Sequence, residues 1–326
     1  MNLKKLIILL LPLLFISCSQ TDNKKELVIY TSIDQIFSQK IIKEFSKKSG
    51  LDIKVLYDTE ASKAVGLEKR LLAEKKHPKA DIFWNSEFMR MARLDKVGLF
   101  VPYPKDLNYT KTYYTSKNGT WYGIGLRDRV FVVNKNLIKK EDYPRKLEDL
   151  TDPKYRGKVA LSMPYFGTAS THFSALFYKM GEEKFRVFIQ KLKENQVALL
   201  AGNSVVKDAV GRGKYLFGLV DSDDVEVGIK EGLPIDMVYY NQDTNGVFSI
   251  FGTVAMLKNA PHPQNAKRFM DYLLTKEREK RLIEIGAVQY GVWSGKRAKH
   301  KSWSEKPSIL VDSLQKSVEI MKDIFE

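Results

Sequence analysis

The chain has 326 residues, 44% hydrophobic and 29% charged, with a single cysteine and a formal net charge of +15. One cysteine excludes an internal disulfide, and the length is enough for two lobes with cores of their own. A basic balance raises nucleic acid as a partner, but the lysines are scattered over amphipathic segments and not gathered with aromatics into one stripe.

Met1–Lys5 carries two lysines and no acid, Leu6–Ile16 is apolar apart from Pro12, and Ser17 precedes Cys18. A basic start, a short apolar run and a small residue predict a secretory signal over residues 1–17, which also argues against nucleic acid. Its eleven-residue apolar run is too short for a bilayer core that needs about 20. Phe15-Ile16-Ser17-Cys18 resembles a bacterial lipobox, with Phe15 at the position usually held by leucine. The resemblance implies that Cys18 is diacylated and heads the mature chain, with 18–25 as a polar tether. The other reading is an ordinary signal with an incidental cysteine. Loss of Lys4 and Lys5 takes the charge from +15 to +13, consistent with a solvated basic surface facing anionic lipid.

Hydrophobic periodicity then alternates between the two regular types. Leu27–Tyr30 reads as a strand. Ile36, Ile41, Ile42 and Phe45 mark a helical face ending at Gly50. Ile53–Tyr57 is a strand, Val65–Glu74 a helix and Ala80–Trp84 a strand. That order implies a parallel sheet covered on both faces, with ligand-binding loops beyond the strand ends at Thr31, Asp58 and Asn85. Arg129–Asn134 is a β-type run that crosses to a second unit. Lys158–Ser162 and Tyr215–Val220 are strands there, and Ser170–Met180 and Glu183–Lys193 are helices. Gly246–Leu257 returns to the first unit, followed by helices over Pro263–Leu274 and Lys276–Ile285. The expectation is two lobes, 26–129 plus 249–326 and 130–248, hinged around a cleft.

Several stretches carry a family resemblance: "LVIYTS", "SGLDIKVLYDTEASK", "KADIFWNSE", "LRDRVFVVN", "AGNSVVKDAVGRGKYLFGLVDSDD" and "VAMLKNAPHPQNAKRFMDYLL". Spread in order over residues 27–285, they resemble the ferric-iron-binding group of type II periplasmic binding proteins. The resemblance implies a two-lobed α/β fold with a ligand cleft between the lobes. It implies a monomeric binding protein that serves an ABC permease and its ATPase subunit. It also implies Fe(III) as the transported ligand, held from both lobes, classically with two adjacent tyrosines and often with a synergistic anion.

Carried over by position, the family's metal ligands fall near Asp34, at Ser86 or Glu87, and at Asp223 and Asp224, where relatives carry the tyrosine pair. Tyr239 and Tyr240 are an adjacent pair one segment later and form the alternative. The anion-holding groups correspond to Asn203, the turn Gly167-Thr168-Ala169-Ser170 and an arginine, Arg127 or Arg129. Asp221 and Glu60 complete the candidate ligand-binding set.

The residues also admit other readings. Asp221, Asp223 and Asp224 after an apolar strand can ligate a hard cation or cap a helix, and the two are compatible. Thr59 or Ser62 can cap the helix after Asp58, and a free helix start there would receive an anion. Glu87 is the leading first-lobe ligand, Trp84 a wall of the cleft. Tyr239 and Tyr240 on a β-type run point to opposite faces, so at most one enters the cleft. Of the four histidines only His172 lies beside the anion turn. No nucleophile elbow, P-loop or metalloprotease spacing is present, so the expectation is a binding protein and not an enzyme. Within that class an aminoalkylphosphonate is the rival ligand. A secreted metal-dependent hydrolase and a surface adhesin are the rivals outside it.

Overall fold

The structure, a computed structural model, describes residues 25–58, 65–105, 107, 111–293 and 299–326. The first lobe opens with β1 (Glu26–Thr31), α1 (Gln35–Ser49), β2 (Asp52–Tyr57), α2 (Val65–Ala73), β3 (Ile82–Asn85) and α3 (Phe88–Lys96). β1 pairs in parallel with β2 on one side and β3 on the other. Parallel strands buried on both faces need apolar side chains throughout, and β3, from Ile82 to Trp84, is almost completely buried. Helix α1 stops as the sequence predicts: Gly50 takes a left-handed φ of 70° and its N–H bonds to the Ser46 carbonyl.

The long strand β4 (Tyr122–Asn134) joins the lobes. Its first half, to Asp128, pairs antiparallel with β9 (Val247–Met256). From Arg129 it pairs with β7 (Phe217–Asp221), and from Phe131 also with β8 (Ile235–Val238). The change of partner between Asp128 and Arg129 is the switch point of the sheet, whose order is β2-β1-β3-β9-β4-β7-β5-β6. The second lobe adds β5 (Val159–Ser162), α4 (Gly167–Met180), α5 (Glu182–Glu194), β6 (Ala198–Leu200), α6 (Asn203–Gly211) and α7 (Ser222–Lys230). Each lobe has its own core: Phe83, Phe88, Phe251 and Phe269 are in the first, Phe131, Phe173, Phe185 and Phe217 in the second.

After β9 the chain forms α8 (Pro263–Leu273) and α9 (Lys276–Glu284) on the first lobe, then β10 (Ser302–Trp303), α10 (Pro307–Leu310) and α11 (Ser313–Phe325). The sequence reading assigned all of 249–326 to the first lobe. Helix α11 instead packs on α4 and α5, and its Ile320 and Met321 lie in the second-lobe core. The physical reason is the amphipathic stripe of α11, which needs an apolar surface and finds Phe173 and Phe185. No helix among the described residues is long and apolar enough to cross a membrane.

Candidate functional site

Strand β7 ends at Asp221, directly opposite Arg129 on β4, and α7 begins one residue later with Asp223 and Asp224 in its first turn. Carboxylate oxygens of the three aspartates lie within 4.8 Å of one another. The three aspartates therefore form an acidic cluster at the start of α7. Asp221 does not cap the helix with its side chain. Its Oδ1 accepts from Arg129 Nη1 at 2.7 Å, and its Oδ2 accepts from Arg127 Nε at 3.0 Å and Thr168 Oγ1 at 2.8 Å. Burial alone would push the Asp221 carboxyl up; the guanidiniums of Arg129 and Arg127 outweigh it and hold the pKa down at about 2.

Arg127 ties this cluster to the first lobe, donating from Nη2 to the Ser86 carbonyl at 2.7 Å. Burial works against its charge, but Asp221, Asp223 and then Asp34 raise its pKa above the usual arginine range. Asp34, at the start of α1, thus acts electrostatically on the same arginine from the opposite lobe. Arg129 Nη1 also donates to Asn203 Oδ1 at 2.9 Å, and Asn203 Nδ2 donates to Thr168 Oγ1 at 3.3 Å. Beside them the starts of α4 and α6 border a small, partly open cavity of about 20 Å³, lined by Ser162, Gly167, Thr168, Gly202 and Asn203 among others. The positive dipole ends of two helices favour an anion there.

Other predicted residues are placed differently. Glu87 is fully buried and caps α3. One oxygen accepts from the Met89 N–H and from Thr171 Oγ1 at 2.8 Å, the other from the Arg90 N–H at 3.0 Å and Asn85 Nδ2 at 3.1 Å. Those four donors occupy the carboxylate, so Glu87 fixes a helix start and links it to α4. Ser170 is also buried, bonded to Gly167 and accepting from Arg90 Nη1 at 2.8 Å. Trp84 packs edge-on against Phe269 in the core and is no cleft wall.

Tyr239 and Tyr240 follow the end of β8 and diverge. Tyr240 is buried in the second core against Phe131. The ring of Tyr239 stacks on His300 at 3.8 Å. Glu60, with Thr59 and Ser62, and Cys18 lie outside the described residues.

The sequence reading missed Arg90, whose two donors reach Ser170 and the Tyr165 carbonyl of α4's approach; an arginine inside an ordinary amphipathic helix gives no signal. It also missed Asp128, fully buried, which accepts from Ser249 Oγ and lies 2.8 Å from His300 Nε2. Here a signal existed: Arg127-Asp128-Arg129 puts three charges into an otherwise apolar strand, and buried charges must be paired.

The family model for bacterial extracellular solute-binding proteins matches residues 77–306. An Fe(3+)-binding periplasmic protein of Serratia marcescens is 26% identical over 275 residues, covering 82% of this chain and 79% of that protein. Iron-bound HitA of Pseudomonas aeruginosa superposes with a TM-score of 0.81 at 23% identity, covering 92% of this chain and 99% of that one. A Trichodesmium protein in complex with iron and citrate ligands gives 0.74 at 21% identity, with coverages of 92% and 99%.

Proposed function

The chain belongs to the bacterial extracellular solute-binding proteins, and from that premise we propose that it captures ferric iron in the crevice and delivers it to an ABC-type permease. The observation that carries this reading is the cluster of Asp221, Asp223 and Asp224 at the switch point of the sheet. Hard cations take oxygen donors, and ligands in such sheets bind beyond the strand ends. In this reading Asp223 and Asp224 hold the metal from the second lobe, and Asp34 closes on it from the first. The relatives named for iron, among them the Serratia protein, support the choice of cargo.

The test replaces Asp223 and Asp224 together by Asn, keeping shape and removing charge. Ferric binding, read by competition with nitrilotriacetate, should be lost, with apo stability changed by no more than about 2 kcal/mol, the size of lost helix-start interactions. Tyr239→Phe with Tyr240→Phe should bind normally. Loss of binding in the tyrosine variant alone would move the site to that pair.

A second reading follows from one departure: aspartates stand where the family resemblance expects tyrosines. In it the carboxylates hold an ammonium group and the helix starts hold a phosphonate. Wild type stabilised by 2-aminoethylphosphonate and indifferent to metal would establish that reading and remove the ferric one.

The protein is also proposed to be anchored through acylated Cys18, on the strength of Ser17-Cys18 after an apolar run. Cys18→Ala should move it from the membrane to the soluble fraction. An unchanged distribution, with no lipid mass on wild type, would defeat the anchor.

A further inference from the structure

Two guanidiniums and a hydroxyl converging on one point form a cradle for a carboxylate or phosphate. Arg127 Nε, Arg129 Nη1 and Thr168 Oγ1 converge in this way, at 3.0, 2.7 and 2.8 Å, and the group they grip is the side chain of Asp221. Asn203 extends the cradle through Arg129 and Thr168. Of the groups that the sequence reading set aside for a solute anion, Arg127, Arg129 and Thr168 thus bond to an internal carboxylate, and Asn203 braces two of them.

We propose that Asp221 is a built-in counter-anion, filling the cradle of Arg127, Arg129 and Thr168 so that ferric capture by this chain requires no solute anion at that position. The inference rests on the ferric reading above. Asp221 is attached at the end of β7 and is 3% exposed. It therefore occupies the cradle without the translational and rotational cost that a free anion would meet on binding. A solute anion would have to displace a buried carboxylate that is already paired with both arginines, and leave that charge unpaired. It would also enter beside Asp223 and Asp224, whose charges repel it.

The experiment compares ferric binding, by competition with nitrilotriacetate, in buffer free of phosphate and bicarbonate and in millimolar phosphate. It also follows the melting of the metal-free protein with and without phosphate. Wild-type affinity should agree within about twofold between the two buffers, and phosphate should not raise the melting temperature of the metal-free protein. Asp221→Ala should bind iron about tenfold or more weakly without phosphate, recover with it, and acquire a phosphate-dependent rise in melting temperature. Wild-type iron affinity that rises tenfold with phosphate overturns the inference. So does a wild-type phosphate shift that Thr168→Val removes. If Asp221→Ala does not fold, the wild-type comparison decides alone. Should wild type bind no ferric ion in either buffer, the ferric reading fails by itself, and the phosphate melts of metal-free wild type still report whether the cradle is occupied.

Discussion

His172 is fully buried on α4, its ring stacked on Phe248 at 5.2 Å and its Nε2 3.4 Å from the Tyr240 hydroxyl. Burial, and then the charge of Arg129, push its pKa well below 6.5, with Asp221 pulling weakly the other way. The unfolded chain takes up a proton below about pH 6.5 that the folded protein refuses, so this residue's contribution is intact above that pH. As the pH falls it is lost at up to about 1.4 kcal/mol per unit, until the depressed folded pKa is reached. His172→Phe keeps a ring against Phe248. Its loss of stability between pH 7 and 5.5, by urea titration, should be about 1 kcal/mol smaller than that of wild type. Equal losses would mean that His172 is protonated in the fold. At this scale the sequence showed which residue types cluster, but not which atoms they spend on one another. Glu87 reads as the leading first-lobe ligand because nothing in "FWNSE" reveals that its oxygens turn back onto the Met89 and Arg90 amides.

Strand β4 carries the site because of an irregularity. Its register against β9 shifts between Ile124 and Leu126, and the residue between them, Gly125, has a φ of +66°. A bulge re-aims the side chains beyond it. Past it, Arg127 and Arg129 fall on the Asp221 side, while Asp128 meets Ser249 and His300. A Cβ at Gly125 would lie 2.6 Å from Val288 Cγ1. Gly125→Ala should therefore cost about 2–5 kcal/mol, combining left-handed strain with overpacking. Gly50 has a φ of +70°, but a Cβ there would meet nothing within 4 Å, so Gly50→Ala should cost only about 1–2 kcal/mol. Equal costs in denaturant titrations would show that Val288 gives way and the bulge is soft. Long periodic elements such as α1 and α5 were legible in the sequence. The first half of β4 was not, because Gly123 and Gly125 weaken the strand pattern that begins visibly only at Arg129. The short helices α6 and α7 were visible only as quoted motifs or capping residues.

Among the described residues the lobes are connected by β4, by β9 and by the tail that ends in α11 on the second core. The tail escaped the sequence reading because an amphipathic helix shows that it needs an apolar partner and not which one. Hydrogen bonds also cross between the lobes, from Arg90 to Ser170, from Thr171 to Glu87 and from Arg127 to the Ser86 carbonyl. These buried bonds tie the two lobes together beside the strands that join them. The loop at Asp34 and the start of α7 lie on opposite lobes, and a cation between their carboxylates would attract both. Binding therefore favours the closed arrangement only to the extent that the metal contacts both lobes at once. Saturating ferric nitrilotriacetate should reduce the radius of gyration in small-angle scattering, and Asp34→Asn should bind more weakly and compact less. An unchanged radius with a ferric ion proven to bind by calorimetry would show capture by one lobe alone. In that case Asp34 would be a helix-start residue and no ligand.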